Sequence, residues 1–129
     1  MSTVSFTNLY GKGNPIKKGL PFSDIKDAIL GSEYSLSFVV ADEVTMRTLN
    51  RERRDKDYAT DILSFSLDET SGEIFIYPDT AASKAVEFGR EFENYIIFLF
   101  IHGCFHLKGF DHGSTMENNE ARIRAQFGV

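Results

Sequence analysis

From about Glu91 to Lys108 the chain reads as one helix, and its middle, Tyr95-Ile96-Ile97-Phe98-Leu99-Phe100-Ile101, is apolar at every position. Such a run has no polar side to turn toward water, so the helix must lie in the core with the other elements wrapped around it. The run is far short of the ~20 residues a membrane helix needs, which leaves burial inside a globular fold. At 129 residues the chain is long enough to bury about two thirds of its unfolded surface. We therefore expect residues 1–129 to form a single domain built on this rod.

The rod runs directly into all three histidines of the chain, in His102-Gly103-Cys104-Phe105-His106-Leu107-Lys108-Gly109-Phe110-Asp111-His112. His102 and His106 are four residues apart, which stacks them on one helix face with Cβ atoms about 5–6 Å apart. Gly109 tolerates the positive φ that a helix end often needs, so the chain can turn and bring His112 back toward the pair. Single histidines near a helix C-terminus commonly serve only the dipole. Three at this spacing around a helix-breaking glycine favour a shared cation.

Three neutral imidazoles with a vacant fourth position are the ligand set of a catalytic zinc, which lowers the pKa of bound water to about 7. Nickel, copper or cobalt also suit such a set, so the spacing selects a divalent metal without selecting which one. The spacing equals that of the long metzincin motif H-E-x-x-H-x-x-G-x-x-H, but the general-base glutamate is replaced by Gly103. A glycine carries no proton, and a protease reading loses its main chemical part.

Composition narrows the partners. The net charge of -5 gives no overall attraction for nucleic acid, so any such contact must be local. Arg51, Arg53, Arg54 and Lys56, with Arg47 one turn earlier, form the one candidate patch; the default reading of so mixed a stretch is a solvated loop. Cys104 is the only cysteine, which excludes an intrachain disulfide and fits a reducing, cytoplasmic setting. Two residues from His102 it points about 200° around the helix, so we expect a small buried hydrophobe rather than a fourth ligand. The first ten residues have neither a basic nor an apolar signal-peptide region.

The remaining elements follow from periodicity. Val4, Phe6 and Leu9 predict a first strand, followed by a basic turn with Lys12, Lys17 and Lys18. Ser23 is expected to cap a helix through Leu30 with Ile25, Ala28 and Ile29 inward. Leu36, Phe38 and Val40 alternate as a strand buried mainly on one face. Asp42 caps a helix carrying Val44, Met46 and Leu49. Residues 60–67 and 73–77 predict an antiparallel hairpin, with Gly72 available for a bulge; Asp61 is a loop cap or a polar group near the site, and the spacing alone favours the cap. Asp79 opens a helix with Ala81, Ala82, Ala85 and Val86 inward. Ser114-Thr115-Met116-Glu117 reads as a capping box for a terminal helix whose Met116, Ile123 and Phe127 pack back on the body.

The histidine block resembles the H-G-x-x-H-L-x-G-[YF]-D-H signature of the YbeY family of bacterial rRNA maturation endoribonucleases. Leu49-Asn50 through Arg54, Thr60-Asp61-Ile62-Leu63-Ser64-Phe65 and Gly72-Glu73-Ile74 resemble further family blocks in the same order. Departures are Arg53 where the family often has Tyr, Glu73 where it has Asp, and a short segment after His112. The resemblance implies an α+β fold, a small mixed sheet of about four strands with surrounding helices, and one metal between the long helix and the sheet. It implies His102, His106 and His112 as zinc ligands and Arg54 as a basic residue reaching toward the site, suited to a phosphodiester's developing charge. Asp111 is expected to sit in the turn or to orient a histidine. Single-strand-specific cleavage of RNA, small-subunit rRNA as substrate, and ribosomal or assembly proteins as partners are implied in the same way. The rival readings are a non-catalytic ribosome-assembly factor with a structural zinc, and a metal-dependent hydrolase of another substrate.

Overall fold

A computed structural model describes residues 3–11 and 13–129; Lys12 lies outside the described residues, as does the start of the N-terminal segment. The elements run β1 (Thr3–Asn8), α1 (Phe22–Leu30), β2 (Ser35–Val40), α2 (Glu43–Arg54), β3 (Ile62–Asp68), β4 (Ser71–Ile76), α3 (Pro78–Glu87), α4 (Phe92–Lys108) and α5 (Ser114–Phe127). This is the expected α+β architecture. The four strands form one mixed sheet in the order β1-β2-β4-β3. β1 and β4 both pair parallel to β2, and only β3 is antiparallel, to β4.

The sheet has two unequal coverings. On one side Leu36, Phe38, Ile74 and Ile76 meet α4 and α1 in the main core. On the other, Leu63 and Tyr77 with Phe65 and Phe75 meet Met46 and Leu49 of α2. The apolar middle of α4 is buried as its composition demands: Tyr95, Ile96, Ile97, Leu99, Phe100 and Ile101 are all in the core. Phe100 lies 4.9 Å from Phe22 and 5.1 Å from Phe38 between ring centroids, which welds α4 to α1 and to the sheet. Each such ring contributes about 1.5–3 kcal/mol by leaving water.

Several local expectations are corrected. α1 begins at Phe22, so Ser23 lies inside its first turn and caps nothing. Its inner stripe is Phe22, Ile25, Lys26 and Ile29, with Ala28 outward. In α2, Asp42 does cap, accepting from the Thr45 amide at 2.8 Å, but Val44 is exposed. Val86 of α3 is likewise on the surface, while Ala81 and Ala85 face inward. α5 starts at Ser114 behind Gly113 with no side-chain cap, so the predicted box is not formed.

The hairpin turn is tighter than its pattern, because Asp68 and Ser71 extend the pairing while Thr60, Asp61 and Tyr77 fall outside the strands, and the register shift falls at Leu67 between Ser66 and Asp68. Gly72 has another task. A Cβ there would overlap the Tyr34 hydroxyl and come 2.9 Å from Leu107 Cδ2 and 3.1 Å from the Phe65 carbonyl. The missing side chain lets the end of α4 seat against the sheet.

Candidate metal centre

The last two turns of α4 place His102 and His106 one above the other, their ring centroids 4.6 Å apart. The helix then stops at Gly109, whose φ of 106° is open to glycine at little cost. The Gly109 amide donates to the His106 carbonyl at 3.0 Å and the Phe110 amide to the Phe105 carbonyl at 3.1 Å, which closes the helix and reverses the chain. His112 returns to within 5.1 Å of the His102 ring and 4.7 Å of the His106 ring. One ligand atom from each of the three lies within 4.8 Å of the others. The three histidines picked out by spacing are therefore brought together.

Hydrogen bonding fixes how two of the rings are protonated. His102 Nδ1 is 2.9 Å from Glu120 Oε2, and His106 Nδ1 is 3.2 Å from the Phe110 carbonyl oxygen. A carbonyl only accepts and an ionised carboxylate only accepts, so both Nδ1 atoms carry the proton and donate. Both Nε2 atoms then present lone pairs, and they face each other at 3.1 Å. With both rings neutral the two lone pairs repel at that distance, so the pair calls for a shared proton or a metal ion between them. A proton is a poor candidate at His106, where burial, then the neighbouring His102 and His112, lower the pKa against the opposing pull of Phe110 and Glu120. The donor set thus fits a divalent metal of the zinc type.

Glu120 is the functional residue that the sequence reading missed. It is a carboxylate only 5% exposed, on α5 between Met116 and Ile123. The signal was present: positions 116, 120, 123 and 127 fall on one helix face, and an acid inside an otherwise apolar stripe needs a partner. Asp111, by contrast, is exposed in the turn and orients none of the histidines.

Gly103 explains the absence of a protease glutamate. A Cβ at this buried position would stand 3.1 Å from both Ile62 Cδ1 and Ile74 Cδ1, so the helix crosses the sheet where no long side chain fits. Cys104 is fully buried on the core side, and burial raises its thiol pKa well above the ordinary value, with Lys26 pulling weakly the other way. It is the inert hydrophobe expected, outside the ligand group.

A cavity of about 490 Å³ opens beside His102 and His112, bounded by α3, the first turns of α4, and α5. Asp61 lines it and is 7% exposed. Its carboxylate accepts from the Tyr95 hydroxyl at 3.2 Å and lies 3.7 Å from Lys84 Nζ, so it is a polar group near the site rather than a loop cap. Arg54 ends α2 with its side chain exposed and does not line this cavity. Within its cluster Arg47 and Arg51 are engaged by Asp57, and Arg53 lies over the Phe65 ring at 4.9 Å. No ion pair among the described residues engages Arg54.

Fold and donor set together define a class: an α+β domain able to hold one cation through three imidazoles carried by one buried helix and the turn behind it. The family profile described as Endoribonuclease YbeY matches residues 20–127, and the chain belongs to that family. Proteins named endoribonuclease YbeY are similar over much of the chain. The one from Staphylococcus carnosus is 34% identical, covering 99% of this chain and 91% of the relative. That from Thermotoga neapolitana is 37% identical, covering 90% and 79%. The chain spans only 50% of the Ureaplasma urealyticum relative, at 43% identity, and 62% of the one from Helicobacter pylori, at 41%. The solution structure of a Thermotoga maritima protein has the same fold, with a TM-score of 0.67 and 24% identity over 98% of this chain and 90% of that one. No helix among the described residues is long and apolar enough to cross a membrane.

Proposed function

We propose that the chain is a zinc-dependent endoribonuclease that cleaves single-stranded RNA, with small-subunit rRNA in the cytoplasm as the substrate and ribosomal or assembly proteins as partners. The observation that carries the metal reading is the approach of the two Nε2 atoms to 3.1 Å, with His112 closing a group of three ligand atoms within 4.8 Å of one another. The family supports RNA as the substrate class.

His102, His106 and His112 would hold the ion. Bound there, zinc supplies Lewis-acid polarisation of a phosphoryl oxygen and an acidified water. Glu120 keeps His102 in the tautomer that offers Nε2, and the Phe110 carbonyl does the same for His106. His112 is exposed, so the substrate can reach the third ligand without the fold opening. Arg54 is assigned to the phosphodiester: it is the arginine of its cluster with no acidic or aromatic partner among the described residues, and a guanidinium stabilises the additional charge of a pentacovalent phosphorus.

The test uses single-stranded RNA with wild type, His106→Ala and Arg54→Glu, each freed of contaminating nucleases. Cleavage should disappear with His106→Ala and fall about 10²–10³-fold with Arg54→Glu. Equal cleavage by all three would end the proposal. The peptidase reading is disfavoured by Gly103, which carries no general base and whose position is crowded by Ile62 and Ile74.

A further inference from the structure

The ligand face of α4 does not stop at His102. Continued toward the N-terminus at helical spacing it carries Phe98 and Tyr95, one and two turns away. Tyr95 and Phe98 are stacked with centroids 5.6 Å apart and planes 13° from parallel. Phe88, at the end of α3, stacks on the other side of Tyr95 at 5.9 Å and 22°. The three rings make a ladder of near-parallel planes, and all three line the cavity that His102 and His112 open into.

Tyr95 and Phe98 belong to the packing of the core, but Phe88 does not: it is 61% exposed at the rim of the cavity. Cations sit around the ladder: Arg90 and Arg124 lie over the Phe98 ring at 4.5 and 5.2 Å, and Lys84 reaches from α3 with a side chain 42% exposed. The acids of the same wall are largely committed, Glu120 to His102 and Asp61 to Tyr95 and Lys84. Parallel aromatic planes bordered by guanidinium and ammonium groups suit a strand that has both flat bases and phosphates.

We propose that Phe88, backed by Tyr95 and Phe98, is a nucleobase-stacking wall for a single strand held at the histidines. This deepens the endoribonuclease reading and rests on it. Phe88 lines the same cavity as His102 and His112, so a strand held at the histidines and laid along the cavity passes its free surface. Stacking accepts any base, so the wall selects unpaired strands and not a sequence; a duplex, whose bases already stack on each other, is excluded.

The experiment uses the full chain with zinc and a single-stranded RNA carrying 2-aminopurine, its fluorescence read in stopped flow as the strand binds. Wild type should quench the fluorophore. Phe88→Ala should remove most of the quench and weaken binding by about 5- to 100-fold, and Phe88→Trp should restore both. An abasic site at the same position should abolish the difference between wild type and Phe88→Ala. Cleavage that depends on His106, together with equal affinity and quench in wild type and Phe88→Ala, overturns the wall alone and leaves Phe88 as a surface for a protein partner. Absence of both RNA binding and cleavage in wild type overturns the nuclease reading, and the wall with it.

Discussion

Glu120→Ala separates orientation of a ligand from ligation itself. The carboxylate lies outside the three-histidine group; it accepts from His102 Nδ1 at 2.9 Å from a site that is 5% exposed. Without it, His102 is free to rotate or to place its proton on Nε2, the atom that must bind. Loss of such a partner typically costs 10–100-fold in metal affinity, or about 1.4–2.7 kcal/mol. At fixed excess zinc, the stabilisation conferred by metal should fall by the same amount. For a domain of this length that is about 4 °C per kcal/mol, so the zinc-induced rise in Tm should shrink by about 6–11 °C. Comparing each protein with and without zinc cancels the cost of the cavity that alanine leaves. Competition with a chromophoric chelator gives the affinity directly, and Glu120→Gln, which keeps an acceptor without the charge, should fall between wild type and alanine. If Glu120→Ala binds zinc within twofold of wild type while His106→Ala does not bind, the orienting role is wrong.

Four further outcomes follow. Gly103→Glu should destabilise by more than about 3 kcal/mol in urea unfolding, since it drives a carboxylate against Ile62 and Ile74. Gly72→Ala should cost about 1–3 kcal/mol by overpacking against Tyr34 and Leu107, checked in the same assay. Lys26→Met should cost about 3 kcal/mol by calorimetry, because the ammonium, fully buried, donates to the carbonyls of Gly31 at 3.0 Å and Tyr34 at 2.8 Å, which the thioether leaves bare. In chelator-treated protein, the lowered pKa of His106 makes the unfolded chain bind its proton first as pH falls. Its contribution is thus complete above about pH 6.5 and lost as pH falls through the lower folded value. The urea midpoint should drop less between pH 7 and 5 for His106→Gln than for wild type, and parallel curves would refute this.

Much of the site was legible because its signal is local. Four-residue spacing on a helix, a glycine at the stop and a third histidine beyond it are relations among neighbours, and neighbours keep their geometry whatever packs around them. The fully apolar middle of α4 announced burial in the same way. Readings failed where the side chain had to choose a face. Ala28 and Val44 satisfied a helical stripe yet turned outward, while the charged Lys26 and the acid Glu120 turned in. Hydropathy alone places a charged residue outside, and only a waiting set of carbonyls or an imidazole reverses that preference.

The sequence by itself determined a buried central helix, three imidazoles gathered at its end, an α+β pattern and a cysteine without disulfide or ligand duty. Tertiary structure decided which carboxylate meets the histidines, bringing Glu120 from α5 to His102 and leaving Asp111 exposed in the turn. It also decided that position 103 is crowded by Ile62 and Ile74 and that Phe88 from the end of α3 joins Tyr95 and Phe98 in the cavity beside the histidines. These relations join elements distant along the chain, and their distances exist only once the sheet and helices have packed.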